Sequence, residues 1–269
     1  MPPGAITIDG AEFSTVTSAT TAAILMALVE TYRVRTGLMT AAGDMMRRIK
    51  SKERGSAVHR LRANGKAPPP GKMPTTTKAD AAVVRAAYPA FHAALEVLQE
   101  QQRLEEKALL KAVAPLPIMA WASSVKGLGQ LSVATLIAEA GDPGRYATPS
   151  RLWKRYGLAV IDGGRQRLAA GEAAHAHGYN PRRRSTMYVI GTNLIRSNNA
   201  AARAVYDIAK AAALAKPGMT RMHAHNHGLR LAQKRVVLAF WLAWRQLERG
   251  EPLSEVPRAF MTSSRGDAS

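Results

Sequence analysis

The chain has 269 residues, of which 46% are apolar, with 38 Lys plus Arg against 19 Asp plus Glu and a formal net charge of +19. That apolar content can bury a core and excludes a disordered tail. The absence of cysteine excludes disulfide frameworks, thiolate zinc sites and cysteine nucleophiles. No apolar run reaches bilayer length, and "MPPGAITIDGAEF" lacks the basic-then-apolar layout of a secretion signal, so a cytoplasmic protein without membrane contact is expected.

The charge is unevenly spread. Residues 143 to 250 hold 19 Lys plus Arg and 4 Asp plus Glu, whereas residues 1 to 142 hold 17 against 12. Nucleic acid is the first partner such an excess suggests, ahead of an anionic membrane surface or mere solubility.

Along the chain, residues 18 to 52 place Ile24, Leu25, Leu28, Tyr32, Leu38, Met45, Met46 and Ile49 at spacings near three and four, predicting an amphipathic helix weakened at Gly37 and Gly43. The stretch near 53–78, with Gly65, Pro68, Pro69, Pro70, Gly71 and Pro74, reads as an exposed linker. A second long helical pattern follows, with Phe91, Leu95, Leu98, Leu104 and Leu109 on one side and Pro89 breaking or kinking it. The two patterns suit an antiparallel hairpin or a dimerising coil.

Shorter helices are expected at 117 to 124, 130 to 140 and 149 to 156, the last started by Thr148, Pro149 and Ser150. Loop with a short hairpin then leads to helices at 182 to 197, 199 to 215 and 227 to 249. In the final one Leu231, Val237, Leu238, Trp241, Trp244 and Leu247 form an apolar stripe, with Arg230, Lys234 and Arg245 outside it. The fold class is mainly α.

The segment "VKGLGQLSVATLIAEAGD" opens on Gly127 and Gly129 between two helical patterns. A nucleotide-binding reading needs a preceding strand, a third glycine and a βαβ unit, and none is present. Helix, Val-Lys-Gly-Leu-Gly, helix is similar to a helix-hairpin-helix, whose glycines bring backbone amides to a phosphate, with Lys126 adding charge and Ser132 a hydroxyl. Such contacts position a protein on duplex DNA without reading bases. A tight turn between two packed helices is the alternative.

Read with its flanks, "VKGLGQLSVATLIAEAGDPGRYATPSRLWKRYGL" resembles the C-terminal domain of the DEDD-type insertion-sequence transposases, the RNA-bridged recombinases. Gly127, Leu128, Gly129, Leu131, Ala134, Thr135, Leu136, Ala138, Glu139, the "GDPGRY" turn, Pro149, Leu152, Tyr156, Gly157 and Leu158 carry the likeness. Downstream, "GGRQRL", "GYNPRRRSTMY", "NNAAARAVYDIAKA" and "LRLAQKRVVLAFWLAW" are looser copies of the family's blocks, and "LVETYRVRTGLMTAAGDMMRRI" resembles the helical spacer ahead of that domain.

The resemblance implies a role in DNA transposition or recombination. It also marks departures. Family members carry a RuvC-like four-carboxylate metal domain before the spacer, whereas here about 25 residues precede it and offer only Asp9 and Glu12. The family's serine before Gly-Gly is replaced by Asp162, whose phosphate adduct would be a mixed anhydride. Ser185 is the alternative hydroxyl. No catalytic residue, metal or cofactor is therefore assigned. Five histidines, His175, His177, His223, His225 and His227, fall in two loop-like runs without acidic companions, so a polar loop near phosphate is preferred to a metal site.

The expected organisation is an unmatched segment 1–17, a helical spacer 18–114, a transposase-like DNA-binding domain 115–250 containing the helix-hairpin-helix, and a flexible tail 251–269. Lys126, Gly127, Gly129, Ser132, Arg151, Lys154, Arg155, Arg182, Arg183 and Arg184 are the candidate contacts to duplex DNA. Further expected partners are a structured guide RNA, a separate catalytic subunit, and a second copy through the long helices. An active recombinase and an RNA-binding scaffold are the rival readings.

Overall fold

The structure is a computed structural model that describes residues 6–8, 11–13, 18–68, 70–251 and 253. Asp9, the side chain of Glu12 and nearly all of the expected tail lie outside the described residues. The chain divides into two compact units, Glu30–Ala108 and the combination of Met1–Val29 with Leu109–Ser269. The described residues are mainly helical, with two small antiparallel pairs: β1 (Ile6–Ile8) with β2 (Ala11–Phe13), and β3 (Val160–Ile161) with β4 (Gly164–Arg165).

In the Glu30–Ala108 unit, α1 (Ser18–Ala63) contributes its later turns, followed by α2 (Lys78–Ala87) and α3 (Pro89–Val113). Ala42, Ile49, Val84 and Leu95 form the buried cluster, flanked by Met45, Met46, Phe91 and Leu98. The three- and four-residue spacing of those side chains puts them on one side of each helix. Two expectations are corrected. Residues 53 to 63 are helix and not linker, because a single Gly55 among Glu, Arg, Leu and Ala costs less than the helix gains, and the prolines begin only at Pro68. Leu104 is 45% exposed and lies off the core side.

The start of α2 is fixed electrostatically. Thr77 is the N-cap of a capping box with Asp80. Although only 2% exposed, the Asp80 carboxylate accepts from the Thr77 amide at 2.9 Å, the Thr77 hydroxyl at 2.8 Å, Ser56 Oγ at 3.2 Å and Arg60 Nη2 at 3.1 Å. Arg60 above all holds this carboxyl well below the usual carboxylate range, and the Thr77 bonds add to it.

The other unit packs α4 (Ile118–Ser124), α5 (Gln130–Ala140), α6 (Pro149–Arg155), α7 (Glu172–His177), α8 (Pro181–Arg196), α9 (Ala200–Leu214) and α10 (Arg221–Glu248), with a 3-10 turn at Pro143–Arg145. Helix α9 lies along α10 so closely that a methyl group at Gly228 would stand 2.7 Å from the Tyr206 carbonyl oxygen. Tyr156 is fully buried, and its hydroxyl donates to the Leu136 carbonyl at 2.7 Å. Trp153 Nε1 donates to the Lys234 carbonyl at 3.0 Å, and Trp241 Nε1 to that of Tyr146 at 2.8 Å. Each polar tip thus makes a hydrogen bond, the Tyr156 ring within the core and the two Trp rings at its edge.

Helix α10 begins six residues before the expected 227, so "HAHNHG" is helical, started by Thr220 accepting from the His223 amide at 3.2 Å. Its buried side runs through Ala224, Gly228, Leu229, Ala232, Val236, Val237, Phe240 and Trp244, while Leu231, Leu238, Trp241 and Leu247 are only partly covered. Nor are the basic residues outside: Lys234 Nζ sits over the Trp153 ring at 4.9 Å, and Arg245 Nη2 donates to the Tyr146 carbonyl at 3.2 Å.

The depressed Asp80 carboxyl stabilises the fold fully above about pH 4, and that contribution is lost as pH falls below it. Thermal unfolding of Asp80→Asn should therefore lie below the parent at neutral pH, with the gap closing on acidification. A gap independent of pH would contradict this ionic account.

Candidate nucleic-acid interface

Between α4 and α5 the chain turns through Val125 to Gly129. Gly127 adopts φ 89°, and a Cβ there would lie 2.1 Å from Ser197 Oγ and 3.0 Å from the Asn193 carbonyl oxygen. Only glycine satisfies both the dihedral and the approach. The Lys126 carbonyl accepts from Asn199 Nδ2 at 3.0 Å and from Ser197 Oγ at 3.2 Å. Buried Asn199 also caps α9, its Oδ1 accepting from the Ala202 amide at 3.0 Å. The turn is thereby docked on the α8–α9 junction, while the Lys126 side chain is exposed.

Gly129 is different. It is the N-cap of α5 with φ −70°, no side chain caps the helix, and a Cβ there would meet nothing within 4 Å. The positive end of the α5 dipole is therefore open. An open groove of about 610 Å³ runs past it, bordered by Ser123, Lys126, Gly127, Gly129, Asn193, Arg196 and Ser197 among others. Ser132 is half-buried on the first turn of α5 and does not line this groove. Arg196, which sequence reasoning did not single out, is exposed on its border.

The basic groups separate into different roles. Arg155 Nε donates to the Glu139 carbonyl at 2.8 Å, closing the carboxyl end of α5. The Glu139 carboxylate is 3% exposed and takes Arg183 Nε at 2.9 Å and Arg182 Nε at 3.2 Å. Arg183 keeps 17% side-chain exposure and Arg182 49%, so Arg182 alone of this pair can also reach outward. Arg184 turns inward and donates through Nη1 to Gln233 Oε1 at 2.6 Å. Arg151 and Lys154 are exposed on α6.

Asp162 occupies the exposed tip of the β3–β4 hairpin at φ 48°, followed by Gly163 at φ 72°. Asp-Gly with both dihedrals positive forms the two-residue turn that matches strand twist. Gln166, buried just beyond, fixes the hairpin: its Nε2 donates to the carbonyls of Lys154 and His177, and its Oε1 accepts from the Ala159 amide at 3.2 Å. Ser185 is exposed on α8.

The histidines do not form a chelating loop. His175 and His177 lie in α7 and the other three in α10, where alternate residues point to nearly opposite sides. His225 Nδ1 bonds the Tyr206 hydroxyl at 2.7 Å, and the His177 ring accepts from the Arg167 amide at 3.2 Å. Among the described residues, no group of three or more His, Asp or Glu is arranged to hold a metal, and no helix is long and apolar enough to cross a membrane.

Residues 120–207 match the family described as "Transposase IS116/IS110/IS902 family". That span holds the glycine turn, the hairpin and the arginine run, so this part of the chain is transposase-like; α10 lies outside it. No curated protein and no solved structure matches the chain.

Three substitutions test the geometry by chemical denaturation. Gly127→Ala should cost at least about 1–2 kcal/mol for the positive φ alone, whereas Gly129→Ala should stay within about 0.5 kcal/mol. Glu139→Ala should cost roughly 3–5 kcal/mol, because Arg183 would remain largely buried without its counter-charge.

Proposed function

We propose that this protein binds duplex DNA through its transposase-like part, with the glycine turn gripping the sugar-phosphate backbone in the manner of a helix-hairpin-helix. The convergence at one open groove of the exposed Lys126, the exposed Arg196 and the uncapped amino end of α5 carries the reading. Two cations beside the uncapped amino end of α5 form a site for phosphate oxygens. Arg151, Lys154 and the outward part of Arg182 widen the electrostatic footprint, while Arg155, Arg183 and Arg184 support the fold.

Backbone contacts of this kind place a protein without specifying sequence, so target choice falls to another component. A structured guide RNA and a separate catalytic subunit are the partners this reading expects. The protein acts in transposition or recombination by holding DNA. Two points support binding over cutting: the resemblance puts Asp162, which sits in a hairpin turn, at the place of the family's serine, and Ser185 is exposed with no hydrogen bond to a base among the described residues.

Duplex affinity measured against salt tests the reading. With about six phosphate contacts, log affinity should fall against log salt with a slope near about −5, and Lys126→Ala and Arg196→Ala should each make it shallower by about 1. A double variant with unchanged affinity and slope removes the groove from the account. Nicked circles or covalent protein–DNA adducts formed in Mg²⁺ would overturn the binding-only part.

A further inference from the structure

Away from the glycine groove, the β4 strand, α8 and α10 bring basic side chains together with no acid among them. Arg165 stands exposed on the hairpin, and Arg184, Arg230 and Lys234 are half-buried behind it. Among the described residues none of the four is ion-paired with a carboxylate, in contrast to Arg182 and Arg183, which directly precede Arg184. Each buried cation is held by something that fixes its direction but leaves its charge uncompensated. Arg184 is bonded to the amide oxygen of the fully buried Gln233, and its stem packs with the Tyr179 ring against Gly157, where an added Cβ would meet both at 3.5 Å. Arg230 Nη2 lies 3.1 Å from His227 Nδ1, and Lys234 rests on the Trp153 ring.

Such an arrangement costs stability unless an anion completes it. Burial first, and neighbouring cations after it, weaken the proton affinity of Arg230, Lys234 and His227, and Arg184 is weakened by its burial with Arg230 and Arg165 adding to the effect. Gln233 Nε2 is itself buried without a hydrogen-bond partner. An amide half-satisfied in a core is costly, and what it provides here is the direction of the Arg184 guanidinium. Covering apolar surface with long stems would not require that expense, since such stems ordinarily leave their heads in water.

We propose that Arg165, Arg184, Arg230 and Lys234 form a binding site for a single phosphate group, distinct from the groove at Lys126. The planar guanidinium forks suit paired phosphate oxygens, and the Lys234 ammonium supplies a point charge. The phosphate could be carried by a nucleic-acid strand or be free in solution, and the recognition chemistry is the same. Three of the four cations are half-buried and fixed in direction, which suits one tetrahedral group better than an extended backbone track. The inference does not depend on duplex binding at the glycine turn, since phosphate alone is a sufficient probe.

Thermal unfolding of the full chain with inorganic phosphate, against sodium chloride of equal ionic strength, is the test. Saturating phosphate should raise Tm by about 4 °C over the chloride control. Arg230→Gln and Lys234→Gln should abolish that rise, and Lys126→Ala should keep it. Without phosphate, Arg230→Gln should be no less stable than the parent, because it removes a like charge; this separates a ligand site from a packing role. A dinucleotide with and without a 5′-phosphate distinguishes the sources. A rise with the phosphorylated form alone assigns a strand end, a rise with both assigns the internal diester, and a rise with inorganic phosphate alone assigns the free ion. No rise above chloride, or an equal rise in the variants, overturns the site.

Discussion

Helix α5 is held by its carboxyl end, and the candidate interface depends on that grip. Three guanidinium groups converge there: Arg155 on the Glu139 carbonyl, and Arg182 and Arg183 on the Glu139 carboxylate. The negative end of the helix dipole and its one buried acid are thereby neutralised together. Residues Val133 to Ala140 are buried behind this clamp. The opposite end, where Gly129 offers no side chain, is left open to an anion. A helix anchored at the wrong end, or capped by Asp or Ser at position 129, would present a satisfied amino terminus and nothing for phosphate to complete.

The same logic explains why the glycine pair is not a pair of equals. Gly127 is required by the docking of the turn against Ser197 and Asn193, which is an internal matter of the fold. Gly129 is open to solvent and shapes what a ligand would meet. The tight turn between packed elements describes Gly127, and the proposed backbone cradle concerns Gly129, two residues further on. Asn199 couples them to the rest of the unit, since one amide side chain holds the Lys126 carbonyl and starts α9.

Local patterns were legible wherever one helix face or one cap decided the outcome. Leu25, Leu28, Tyr32 and Ile49 are buried as their spacing predicted, Pro89 opens α3, and Thr148 with Pro149 starts α6. Non-local contacts were not legible. Nothing near Arg183 in the sequence announces Glu139, 44 residues earlier, and three consecutive arginines looked equivalent although successive helical positions turn about 100° apart. The buried side of α10 keeps only Val237 and Trp244 of the expected stripe, because it is built of Ala and Gly as much as of larger residues: those small residues permit the close approach of α9, and hydropathy gives them little weight. The histidine run is helical although polar, because polar composition does not by itself fix an irregular backbone.

The uneven charge along the sequence is explained by two populations of cations with opposite physical character. Exposed groups such as Lys126, Arg151, Lys154 and Arg196 keep their hydration, act at a distance and are screened within roughly 10 Å at moderate salt. They can gather a polyanion without selecting one. Half-buried groups such as Arg184, Arg230 and Lys234 have already lost part of their hydration, so an anion entering among them meets less competition from water and is held in a defined geometry. A protein that uses only the first kind binds many polyanions alike. Retaining the second kind, at a standing cost in stability, is understandable where one particular phosphate group must be held in a fixed position, as the proposed site requires.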